Sequence, residues 1–217
     1  MSIGLNIENL KNSLPKEVTL VAVSKTKSNA EIMEAYEAGQ RVFGENKIQE
    51  MASKWEALPK DILWHMIGHV QTNKVKYMAH FVDLIHGVDS LKLLKEINKQ
   101  ALRCQRSISC LIQIRIAEEE TKFGLPQEEL IELLEAAQEL KQVKIVGLMG
   151  MASFTEDTNQ ILHEFDLLKL LFDKTKTQYP NCSILSMGMS GDYELVIEKG
   201  STMIRVGSKI FGHRNYS

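Results

Sequence analysis

The chain has 217 residues, with 26 Lys plus Arg against 28 Asp plus Glu, so its formal net charge of −2 gives no positive field of the kind that draws in nucleic acid. Hydrophobic residues at 44%, charged residues at 25% and few aromatics, 6%, describe an ordinary globular chain with neither repeats nor disorder indicated. No basic segment leads into an apolar core with a cleavage site and no run approaches membrane-spanning length, so a cytoplasmic protein without a membrane partner is expected; Cys104, Cys110 and Cys182 have no spacing that suggests disulfides or zinc.

In chain order, Ile3 to Leu14 reads as a leading helix that stops before Pro15, and Val18 to Lys27 as an apolar, β-branched strand ending at Ser24 and Lys25. Ser28 to Glu31 has the S-x-x-E form of a capping box, opening a helix that ends near Gly39. Arg41 to Phe43 is a short strand followed by a helix to about Leu58. Ile62 to Met66 is the next, with a helix near Asn73 to Ala79. Val82 to Gly87 precedes a helix from Leu91 to Cys104, and Ser109 to Ile116 precedes an acidic loop and a helix from Gln127 to Leu140. Val143 to Met149, Ser183 to Met187 and Thr202 to Val206 complete the strands, with helices at Asn159 to Lys176 and Tyr193 to Lys199 between them.

Eight strands separated by helical segments, with no Asn-Gly or Asp-Gly hairpin signal, imply parallel pairing through right-handed crossovers and a closed (β/α)8 barrel. An open doubly wound sheet is the alternative, but the turn after the first strand, Lys25-Thr26-Lys27-Ser28, contains no glycine for a phosphate loop. The expectation is a single barrel domain over residues 1–217, with the leading helix filling the place of a missing last one.

Binding residues in such a barrel come from the C-terminal ends of the strands, with phosphate favoured on the loops after strands seven and eight. Those loops are Ser186 to Asp192 and Gly207-Ser208, where glycine lets backbone N–H groups approach an anion and the serines add donors. Taken alone, the first reads as an ordinary loop with Asp192 capping the next helix. Barrel closure sets strand eight beside strand one, so Arg205 and Lys25 should project into one mouth, where a lysine beside a second cation makes a better nucleophile toward an aldehyde. A strand-end lysine is otherwise most often structural. His65 and His69 do not form a credible metal pair, because Gly68 interrupts them at a strand exit; Glu118 to Glu120 reads as a solvated loop, Met149 and Met151 as core, and His86 as a satisfied rim histidine.

The segments VAVSKTK, FGENKIQE, WHMIGHVQTNK, HGVDS and LSMGMSGDYELVIEKGSTMIRVGSKIFG together resemble the pyridoxal-phosphate homeostasis protein family, itself similar to the N-terminal barrel of alanine racemase. The resemblance implies that Lys25 forms an internal aldimine with pyridoxal 5′-phosphate, that Ser190, Gly207 and Ser208 hold the phosphate, and that Arg205 faces the pyridine nitrogen. It further implies that Asn46 lines the cofactor ring and Met189 packs nearby, with His65 and Lys122 as further pocket candidates. Ser208 stands where threonine is common in that family, and Gly150 and Ser153 where threonine and proline are frequent.

An arginine at the ring nitrogen argues against strong carbanion chemistry. The implied role is holding or delivering the cofactor in vitamin B6 homeostasis, without catalysis; apo forms of pyridoxal-phosphate enzymes are the candidate recipients, and a monomer is favoured over a dimer. The alternatives are a racemase-type enzyme, which lacks a visible second base here, and a lysine aldolase, which the phosphate loops disfavour.

Overall fold

The structure, a computed structural model, describes residues 2–119 and 123–212. Eight strands form a closed barrel in sequence order: β1 (Thr19–Val23), β2 (Val42–Glu45), β3 (Leu63–Met66), β4 (Leu84–Val88), β5 (Ile108–Gln113), β6 (Val143–Met149), β7 (Ile184–Met189) and β8 (Met203–Val206). All pairs are parallel, and closure sets β8 against β1 with Val21 opposite Arg205. The fold is the (β/α)8 barrel that strand and helix alternation predicts.

The helices are α1 (Ile3–Ser13), α2 (Asn29–Glu37), α3 (Ile48–Ala57), α4 (Leu91–Arg103), α5 (Leu130–Ala137), α6 (Thr158–Gln178), α7 (Tyr193–Glu198) and α8 (Ser208–Phe211). Ser28 caps α2 with both arms of the capping box in place. The helix expected near Asn73 to Ala79 is instead a 3₁₀ segment, Thr72–Tyr77. Thr, Asn, Val and Tyr are indifferent helix formers, and so short a run does not repay α-helix nucleation. The helix expected from Gln127 begins as a 3₁₀ turn and becomes α-helical at Leu130.

β-strand side chains alternate between faces, which divides the apolar residues into two cores. Leu20, Ala22, Phe43, Trp64, Ile85, Ile112, Leu148, Leu185 and Ile204 point outward and pack under the helices. Val21, Leu84, Leu111, Met149 and Met203 fill the barrel interior. The leading helix α1 packs against α2 and α8, with Asn6 Nδ2 donating to the Ile210 carbonyl at 2.9 Å and Glu34 accepting from the Ile3 N–H at 2.8 Å. It thus closes the helical layer beside the single turn of α8, which is too short to show a periodicity in sequence.

Candidate functional site

A cavity of about 790 Å³ opens at the C-terminal ends of the strands. Its lining includes Lys25, Asn46, Met189, Ser190, Arg205, Gly207 and Ser208, so seven of the residues singled out from the sequence meet in one place. Val21, Val23 and Lys25 share the inward parity of β1. Lys25 therefore continues the inner face of the strand past its last ladder residue and borders the cavity together with Val23.

The chain turns sharply at Lys25. The Lys27 N–H donates to the Ser24 carbonyl at 3.0 Å, and Thr26, a β-branched residue, sits at φ 65°, in the left-handed region that such residues avoid. Beneath the turn lies a buried ionic cluster. Ser24 Oγ donates to Glu45 Oε1 at 2.6 Å, and the Lys54 ammonium, on α3, donates to Glu45 Oε1 and to the Ser24 carbonyl, both at 2.8 Å, and to Glu50 Oε1 at 2.6 Å. Burial pushes the Glu45 carboxyl up, against the lowering effect of Lys54 and Ser24, and its second oxygen, Oε2, is buried without a hydrogen-bond partner.

Arg205 enters from β8 and is almost wholly buried. Its Nη1 donates to the Ser186 carbonyl at 2.9 Å and to Ser186 Oγ at 2.6 Å, and its Nη2 donates to the Gly150 carbonyl at 3.0 Å. Burial lowers the guanidinium to about 10, with Asp192 acting in the opposite sense, and it remains a cation at neutral pH. It donates to two carbonyls and a hydroxyl, and among the described residues no carboxylate forms an ion pair with it. Gly150 thus meets Arg205 through its backbone, so the absence there of the family's frequent threonine leaves this contact intact. Ser153, the other departure, holds the buried Glu164 carboxylate at 2.6 Å through both its N–H and its hydroxyl.

Ser186 passes the arrangement inward. His86 Nδ1 lies 3.1 Å from Ser186 Oγ, and His86 Nε2 lies 3.1 Å from His65 Nδ1; His65 Nε2 is 3.4 Å from Asp83 Oδ2. Neither histidine borders the cavity. His65, a pocket candidate from sequence, lies below it, because β3 ends at Met66 and the lining begins higher up with Ile67, Gly68 and His69. His86 is fully buried in the barrel interior and not at its rim.

The two glycine-containing loops do come together. β7 carries an irregularity between Ser186 and Met189, with Gly188 at φ 98°, a conformation open to glycine. The chain is thereby turned so that Ser190 Oγ accepts the Gly207 N–H at 3.1 Å, which leaves the Ser190 hydroxyl proton as a donor to the cavity. Asp192 stands at the N-cap of α7 as expected, but its carboxylate makes no capping bond; it accepts the Met189 N–H and braces the loop instead.

Lys122 lies outside the described residues. His69, weighed from the sequence only as a metal ligand, borders the cavity, as do Phe123, Phe154, Gln113 and Lys27, which no sequence signal singles out. His69 stacks on Phe123 with ring centroids 3.9 Å apart and lies 3.5 Å from Asp89, while Phe154 is 98% exposed at the rim. Nothing local in the sequence marks an exposed phenylalanine in a loop as part of a site. Among the described residues no group of three or more His, Cys, Asp or Glu side chains is placed to hold a metal ion, and no helix is long and apolar enough to cross a membrane.

The donor set suits a phosphorylated aldehyde: an amine on rigid backbone, serine hydroxyls from two adjoining loops, and a buried guanidinium that can only donate. Comparison with known proteins gives the same direction. A family model described as alanine racemase, N-terminal domain, matches residues 2–215. The pyridoxal phosphate homeostasis protein of Vibrio alginolyticus is 38% identical over 231 residues, covering 100% of this chain and 99% of that one. That of Aquifex aeolicus is 42% identical over 200 residues, covering 91% and 87%. Among solved structures, PipY of Synechococcus elongatus with PLP bound superposes with a TM-score of 0.89 at 35% identity, covering 97% of this chain and 100% of that one. Alanine racemase of Clostridium difficile superposes with a TM-score of 0.81 at 16% identity, a likeness of fold alone, over 100% of this chain and 57% of the racemase.

Proposed function

The chain belongs to the pyridoxal phosphate homeostasis protein family, whose barrel is the alanine racemase N-terminal domain, and from that premise we propose that it binds pyridoxal 5′-phosphate covalently through Lys25 and holds or delivers it. The observation that carries the reading is the meeting, in one cavity, of the Lys25 amine, the Ser190 and Ser208 hydroxyls on either side of Gly207, and the Arg205 guanidinium.

When bound, the group supplies an aldehyde that condenses with a primary amine and a ring that draws electrons strongly only when its nitrogen is protonated. Lys25 offers the amine, on a turn that continues the inner face of β1. The Ser190 hydroxyl, with Ser208 beside Gly207, would donate to the phosphate, and Asn46 and Met189 would line the ring's side of the cavity. Arg205, fixed by Ser186 and Gly150, would offer the ring nitrogen a hydrogen bond and no proton, since a guanidinium does not release one near neutral pH. The residues thus retain the ring without activating it, which suits a carrier and not a catalyst. In this reading the barrel works as one cytoplasmic domain, a monomer, whose recipients are apo forms of enzymes that need the cofactor; neither nucleic acid nor a membrane takes part.

Purified protein mixed with pyridoxal 5′-phosphate should absorb visible light, borohydride should bleach the band and fix the added mass on Lys25, and Lys25→Ala should do neither. Colourless wild-type protein that fails to take up the compound would sink the reading. Incubating the loaded protein with L-amino acids in deuterated water separates carrier from enzyme: catalytic turnover with exchange at the α-carbon would make it an enzyme.

A further inference from the structure

Lys25 lies between two peptide groups, and both are held by the same pair of side chains. The carbonyl of the Ser24–Lys25 peptide accepts from Lys54 Nζ at 2.8 Å, and the N–H of the Lys25–Thr26 peptide donates to Glu50 Oε1 at 2.6 Å. Lys54 and Glu50, one helical turn apart on α3, are themselves bonded at 2.6 Å, and the third Lys54 bond goes to Glu45 at the end of β2. All three ammonium donors are therefore used, one on the turn and two on the carboxylates that brace it.

Such an arrangement costs stability. Lys54 is 6% exposed and Glu45 fully buried with one oxygen unpartnered, although a lysine on an outer helix of a barrel is ordinarily solvated. The turn stores strain as well, since Thr26 occupies a left-handed conformation at φ 65° where glycine would sit without penalty. Charge-assisted bonds to both faces of the turn oppose its relaxation to an ordinary strand exit.

We propose that Lys54 and Glu50 are positioning residues for Lys25: they clamp the peptides on both sides of it so that its amine is presented to the cavity in one orientation. The inference rests on the proposed covalent role of Lys25. Its consequence is a split between bond formation and binding. Loosening the clamp should slow the reaction of the Lys25 amine with the aldehyde and leave the phosphate and Arg205 contacts, which belong to β7 and β8, as they are.

The test mixes apo protein with rising concentrations of pyridoxal 5′-phosphate and follows the visible band, giving a saturating rate and a half-saturation concentration. Pyridoxine 5′-phosphate, which has the ring and phosphate but no aldehyde, measures binding alone. Glu50 is partly exposed, so Glu50→Ala should fold. It should lower the saturating rate by about tenfold or more, in keeping with the sensitivity of reactions to small misplacements of the attacking group. Pyridoxine 5′-phosphate affinity should stay within about twofold, a bound small beside the tenfold loss that one misplaced contact can cause.

Glu50→Gln keeps an acceptor for the Thr26 N–H and should restore most of the rate. A second readout needs no ligand: the Thr26 amide proton of the apo protein should resonate far downfield and exchange slowly, and lose both properties in Glu50→Ala. An unchanged saturating rate in Glu50→Ala, or an equal loss of rate and of pyridoxine 5′-phosphate affinity, overturns the clamp while leaving the covalent role of Lys25 standing. Wild-type protein that forms no bond at all removes both.

Discussion

Ser186 Oγ accepts a 2.6 Å hydrogen bond from the Arg205 guanidinium and lies 3.1 Å from His86 Nδ1, so it joins the buried cation to a pair of histidines. The Asp83 carboxylate at the far end only accepts, so His65 donates to it from Nε2; His65 Nδ1 then accepts from His86 Nε2, and His86 Nδ1 accepts the Ser186 proton. The chain of donors runs one way, from a buried cation at the cavity to a carboxylate at the entry of β4.

His86 should therefore be a neutral Nε2–H tautomer. Nitrogen-15 spectra of its ring at neutral pH should show this pattern, and an Nδ1–H form of His86 would contradict it.

Burial above all, with the nearby Arg205 guanidinium acting in the same sense, holds His86 well below the ordinary 6.5. The unfolded chain takes up a proton there below 6.5 and the folded one does not, so His86 favours folding fully above 6.5 and progressively less as pH falls toward its own lowered value. Denaturant unfolding of wild type and His86→Gln from pH 7.5 to 5 should show the wild-type advantage shrinking as pH falls, with a pH-independent difference as the contrary result.

How much of this was legible in the sequence depends on the distance over which a signal acts. Strand and helix periods are local, and eight alternations of them imply the barrel; the parity of Val21, Val23 and Lys25 then aims the lysine inward. Closure puts Arg205 beside β1, again by rule. The register of β3 against β4 and the approach of β7 across the interior are not local, so His65 and His86 read as isolated histidines, and no pattern announces that they touch. Lys54 was hidden for a different reason: on an outer helix its charge reads as solvent-facing, and only the short strand β2, ending at Glu45, draws it under the turn.

Removing Lys54 should expose the cost of burying Glu45. Lys54→Met leaves that carboxylate without its cation and should lower stability by about 3–5 kcal/mol, and adding Glu45→Gln should recover part of the loss. Urea titrations of the single and double variants measure both steps, and equal stabilities of the two would refute the coupling.

The loops of β7 and β8 should govern affinity through phosphate alone. Ser190→Ala removes a donor to a charged acceptor and disturbs the Gly207 N–H, and should weaken pyridoxal 5′-phosphate binding by about 1.5–3 kcal/mol, roughly ten- to a hundredfold. Unphosphorylated pyridoxal should bind both forms equally; a parallel loss would assign the serine to the ring.

Gly68 bears on the cavity from below. A Cβ there would lie 2.5 Å from the Asn46 carbonyl oxygen, so Gly68→Ala must displace the backbone that carries Asn46. A fall in pyridoxal 5′-phosphate affinity larger than the fall in Tm should follow, read by titration and by thermal unfolding; unchanged affinity would show that Asn46 does not matter for binding.

The pairing of β1 with β8 has a consequence during synthesis. Lys25 leaves the ribosome long before Arg205, Gly207 and Ser208, so during that interval a nascent chain carries the lysine without the β8 groups proposed to act with it. On the proposed role, any free aldehyde met in that interval would find an ordinary lysine. Selectivity would arrive when β8 docks, and a chain interrupted before Val206 would display the amine without the means to choose its partner.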